Sequence, residues 1–94
     1  MNPEHYKVRI DGRRVVVAVA REDTIRRIST NLVALGASPV GPGAWVCDIN
    51  IPTIDLASAV GELADGEVVY LSTNGDFGFL VAPKTDGGII VTPR

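Results

Sequence analysis

Arg13-Arg14-Val15-Val16-Val17-Ala18-Val19-Ala20 is the stretch on which the fold turns. Its last six residues are apolar in succession, and four of them are β-branched valines. A strand with one wet face alternates, whereas an unbroken apolar run of this length suits a strand covered on both faces. The stretch is therefore expected at the centre of a sheet. Upstream, Tyr6–Ile10 does alternate, with Tyr6, Val8 and Ile10 apolar and Lys7 and Arg9 basic. Asp11-Gly12 between the two suits the positive-φ positions of a tight turn. The spacing predicts a hairpin, strand 6–10 returning into the central strand.

Downstream, Ile25, Ile28, Leu32 and Leu35 recur at intervals of three and four, the stripe of an amphipathic helix. Asp23 or Thr24 is its expected cap and Gly36 its expected end. Ser38-Pro39-Val40-Gly41-Pro42-Gly43 has the composition of a loop, with room for one short strand around Val40. Ala44–Ile49 alternates again, with Trp45, Cys47 and Ile49 on one face. A second helix is expected from Pro52 to Gly66 on the pattern Leu56, Val60 and Leu63, with Gly61 inside it. Strands follow at 67–73, 77–82 and 88–92, joined by Asn74-Gly75 and Asp86-Gly87-Gly88 turns. The expected class is α+β: a single domain over 1–94 with a ferredoxin-like split βαβ sandwich at about 14–73. An N-terminal β-hairpin arm and a C-terminal β-meander complete it.

The 94 residues suffice for one modest core. One Cys excludes an internal disulfide, and no Cys/His spacing resembles a zinc site. No apolar run approaches the about 20 residues of a membrane helix. Met1-Asn2-Pro3-Glu4-His5 lacks the basic-then-apolar order of a signal peptide, so a cytoplasmic protein without membrane partners is expected. The net charge of −2 hides an asymmetry. Residues 1–27 carry seven Lys/Arg against four acids, and residues 28–94 carry two against seven.

In the expected hairpin Arg9 faces Arg14, and Lys7, Arg9 and Arg14 share a face. Like charges so placed cost about 0.2–1 kcal/mol, which a bound anion or acidic partner relieves. A solvated edge that resists aggregation is the plain alternative. With Arg26 and Arg27 of the first helix, these residues form the candidate anion, nucleic-acid or partner surface. Asp48, Asp55, Glu62 and Asp65 form a candidate acidic surface, on which one protomer can meet the basic arm of another. Asp23, Asp48 and Asp76 have the chemistry of Mg²⁺ ligands, but a cap, an exposed strand face and a turn account for them in that order. Cys47 has no adjacent base, since His5 is the one histidine, and burial is its expected role. No metal or cofactor is expected.

Taken in order, these segments resemble the Cas-two-like group of small CRISPR-associated ferredoxin-like proteins, including its SinR-like branch. The resemblance spans about Val15–Leu80. It rests on Val15–Ala20, on Leu32-Val33-Ala34-Leu35-Gly36, on Ala44-Trp45-Val46-Cys47, on Gly66-Glu67-Val68-Val69-Tyr70-Leu71, and on Asn74-Gly75-Asp76-Phe77-Gly78-Phe79. It implies a homodimer built through open sheet faces. It also implies, in members that are nucleases, a metal-binding Asp directly after the first strand. Here Ala18-Val19-Ala20-Arg21 stands at that place. The expectation is thus a catalytically silent binding or adaptor protein. Two other readings stay open: a small phage- or plasmid-encoded inhibitor of the anti-CRISPR type, docking on a nucleic-acid-handling complex, and a metal-dependent nuclease centred on Asp23.

Overall fold

A computed structural model describes residues 13–73 and 77–94. These residues form an α+β fold, a six-stranded antiparallel sheet carrying two helices. In chain order they are β1 (Arg13–Val19), α1 (Glu22–Ala34), β2 (Ser38–Gly41), β3 (Ala44–Asp48), α2 (Thr53–Val60), β4 (Val68–Leu71), β5 (Phe79–Pro83) and β6 (Ile89–Pro93). The sheet order is β2-β3-β1-β4-β5-β6. β1 is interior, with Val16 opposite Trp45 of β3 on one side and Leu71 of β4 on the other.

Burial on both faces explains the uninterrupted valines. Val16 and Ala18 face the helices, where they join Ile28, Leu32, Leu56, Val60, Trp45, Val69 and Leu71 in the main core. Val15 and Val17 point the other way and cluster with Ala44 and Val46. Each fully buried aliphatic side chain of this kind contributes about 1.5–3 kcal/mol. Trp45 is fully buried and its indole N–H donates to Ser29 Oγ at 3.0 Å, so its polar edge is satisfied inside the core.

The expected strand 6–10 and the Asn74-Gly75-Asp76 turn lie outside the described residues. Val15 pairs with Val46 on one edge and exchanges hydrogen bonds with Ser72 on the other. Arg14 pairs with Cys47.

Local expectations meet three outcomes. First, the short strand allowed around Val40 is present as the edge strand Ser38–Gly41, where the missing N–H of Pro39 breaks no ladder. Its register slips between Pro39 and Gly41. Pro42-Gly43 then turns the chain, with Gly43 at φ 71° as the second central residue of a type II turn requires. A Cβ on Gly43 would also stand 2.9 Å from the Ala18 carbonyl oxygen. Second, α2 stops at Val60 and does not reach Gly66. Gly61 leaves the helix at φ 67° and is its terminator, not an interior packing glycine. Third, α1 begins at Glu22 with Arg21 at the cap position, so neither Asp23 nor Thr24 caps it.

Candidate functional site

The expected basic surface has Lys7, Arg9 and Arg14 on one hairpin face, extended by Arg26 and Arg27 of the first helix; Arg14, Arg26 and Arg27 are among the described residues. Lys7 and Arg9 lie outside the described residues. Arg14 is turned inward under the helices, 4% exposed. Its Nε donates to the Ser72 carbonyl, one terminal nitrogen to the Ile51 carbonyl and the other to Thr53 Oγ1, each at 2.8 Å. Burial pushes its guanidinium below the usual arginine range, with the neighbouring Cys47 opposing that shift. Arg14 thus ties the end of β4 to the loop before α2.

Arg26 is exposed on α1. Arg27, one residue on, reaches across to α2, where one terminal nitrogen donates to the Val60 carbonyl at 2.6 Å and the other to the Glu62 carbonyl. Asn31, one helical turn further, donates to the Ala59 carbonyl at 3.0 Å. These are carbonyls that the end of α2 leaves free, and a cation there also meets the negative end of the helix dipole. Arg27 and Asn31 therefore fasten α1 to α2.

The expected acidic surface is divided in the same way. Asp48 ends β3, and its Oδ1 accepts the Asn50 N–H at 2.7 Å in an Asx turn. Asp55 lies in the first turn of α2. Glu62 and Asp65 follow the other end of that helix, which lies about 7.5 Å from Asp55 along its axis. Asp23 is exposed on the first turn of α1, where its Oδ1 accepts the Thr24 N–H at 3.1 Å. Among the described residues no three His, Cys, Asp or Glu side chains come close enough to share a metal ion.

Another acid, just before β4, has the most partners among the described residues. Glu67, 5% exposed, accepts the Arg21 N–H on Oε2 at 2.8 Å. Its Oε1 accepts the Ala64 N–H at 2.8 Å and the Thr24 hydroxyl at 3.2 Å. Burial pushes the carboxyl upward, but these donors and the Arg21 guanidinium outweigh it and hold Glu67 below the usual range. Only its place between Gly66 and an apolar strand marks it in the sequence. Cys47 is fully buried as expected. Burial pushes its thiol upward, Arg14 pulls it back, Asp48 adds to the rise and Arg13 opposes it.

The surface that remains is the helix-free face of the sheet. At its centre Val15, Val17, Ala44 and Val46 are buried, with Phe77 packed against them. Tyr70 lies opposite Val17 and meets the Phe77 ring edge-on, centroids 6.4 Å apart. The Arg94 guanidinium sits 5.1 Å from the centre of the Tyr70 ring, within cation–π range. Beyond Tyr70 the register carries the same face outward through Leu80, Ala82 and Ile90. Ile90 is 48% exposed. Comparison with family models, with curated proteins and with solved structures returned no match.

Proposed function

We propose that this protein is a catalytically silent binding module of ferredoxin-like design, akin to the Cas-two-like proteins, that works as a homodimer through its helix-free sheet face. The observation that carries this reading is the apolar strip Tyr70, Leu80, Ala82 and Ile90, which continues the buried valine cluster toward the sheet edge. Such strips are where partners bury surface. The order β2-β3-β1-β4, with one helix after β1 and one after β3, supports the ferredoxin-like part, and β5–β6 extend that unit as a meander. The structural use of Arg27 and Glu67 supports a role in binding rather than chemistry, since these side chains are already engaged.

Sedimentation equilibrium over a wide concentration range tests the reading. A dimer is expected that Ile90→Asp dissociates while the melting temperature of the monomer holds. A monomer at every concentration, or a dimer indifferent to Ile90→Asp, overturns it.

A further inference from the structure

Arg14 is a full positive charge withdrawn from water, and its three acceptors, two carbonyls and a hydroxyl, are all neutral. Among the described residues the one ion pair joins Arg21 to Glu67, at 3.8 Å, and no carboxylate reaches Arg14. An ion so placed carries a desolvation cost of several kcal/mol that neutral acceptors only partly offset. A guanidinium has five N–H donors, so these three bonds leave two unspent among the described residues.

The place where those donors can be met is already shaped. Arg14, Ile49, Thr53 and Thr73 line a surface depression of 260 Å³. Thr53 accepts from Arg14, which leaves its own hydroxyl hydrogen free to donate outward. Thr73 brings a second hydroxyl, from the chain just after β4. Thr53 is also the first residue of α2, on the positive side of that helix. One exposed acid, Asp55, lies two residues further on and opposes an anion.

We propose that this depression binds a single oxyanion group, a phosphate or a carboxylate, with Arg14 supplying the charge and Thr53 and Thr73 the flanking hydroxyls. A planar guanidinium matches either oxyanion through paired N–H donors, which a lysine in its place would not do. The site is separate from the helix-free sheet face, so it stands whether or not the chain dimerises.

The test is a titration of the full chain with inorganic phosphate, and separately with acetate, at constant ionic strength, followed by ¹H–¹⁵N spectra. Saturable shifts are expected at the Arg14 Nε–H and at the Thr53 and Thr73 amides. Thr73→Val should weaken binding about tenfold, the value of one hydrogen bond to a charged group, while leaving the anion-free melting temperature unchanged. Asp55→Asn should tighten it about twofold to fivefold. Saturation by phosphate alone assigns a phosphoryl ligand and by acetate alone a carboxylate; saturation by both assigns any oxyanion. Linear shifts with both anions, or an affinity unchanged in Thr73→Val, overturn the proposal. Since Arg14→Lys removes structural bonds and can unfold the chain, Thr73→Val is the deciding variant.

Discussion

The backbone N–H of Arg21 donates to Glu67 Oε2 at 2.8 Å across 46 positions of sequence, so α1 is capped by the residue that leads into β4. In a capping box the acid that reaches back to the cap N–H sits at the third helical position. Thr24 holds that position here, and its hydroxyl donates to the same distant carboxylate. Glu67→Ala orphans the Arg21 and Ala64 N–H groups and the Thr24 hydroxyl together. It should cost about 2–4 kcal/mol in urea unfolding, with Glu67→Gln intermediate.

Glu67 also sets an acid dependence. Its carboxyl titrates lower in the folded chain than the about 4.3 of a free glutamate. The unfolded state therefore binds the proton first as pH falls. The stabilisation is complete above the unfolded value and is lost as pH drops through the folded one. Thermal melts of wild type and Glu67→Gln should differ at neutral pH and converge in acid. A gap that stays constant to low pH contradicts this account.

Arg14→Met keeps the length of the side chain and removes every donor. The Ser72 and Ile51 carbonyls lose their partner in a buried setting, and about 2–4 kcal/mol of stability should go with them. Chemical denaturation measures it. Cys47→Ser, by contrast, should leave those bonds in place.

Gly61→Ala acts through two causes that point the same way. The position has φ 67°, where a Cβ costs about 1–2 kcal/mol, and that Cβ would stand 2.8 Å from a terminal nitrogen of Arg27. Displacing Arg27 also uncovers the Val60 carbonyl. A double-mutant cycle with Arg27→Ala should show coupling: once Arg27 is gone, Gly61→Ala costs less.

Cys47 should be inert in the folded protein. Its side chain is fully buried and its thiol is pushed upward, so the thiolate that reacts with disulfide reagents is both scarce and shielded. Labelling with such a reagent at mildly alkaline pH should follow global unfolding. Rapid labelling of folded chain would show local opening between β1 and β3.

Periodicity exposed β1, α1 and β3 in the sequence, because each buries a repeating set of side chains: valines on both sides of β1, Ile28 and Leu32 on α1, Trp45 and Cys47 on β3. The end of α2 is hidden, since Leu63 continues the stripe past Gly61, and a glycine can also sit inside a helix at a cost of about 1 kcal/mol. β2 was obscured by Pro39, whose tolerance depends on lying at an edge, a property of the whole sheet. Arg14 misled for a related reason. Alternation places it on the side of Val16 and Ala18, but with both faces of β1 apolar nothing local says which one the helices cover. The partners of Arg27, and all those of Glu67 but Ala64, lie 33 to 46 positions away, beyond any local pattern.

During synthesis β1 is made well before its partners, and its second edge stays bare until Leu71 exists to meet Val16. Until then Val15–Ala20 is an uncharged, β-branched hexamer, the composition of segments that associate with copies of themselves. Arg13 and Arg14 stand at one end of it and Arg21 at the other. Two chains laid side by side in register would bring these guanidinium groups together, and their repulsion guards the nascent strand against pairing with its like. Arg14 thus does more than fasten β4 to the loop before α2: with Arg13 and Arg21 it places charge at the ends of the chain's most association-prone segment.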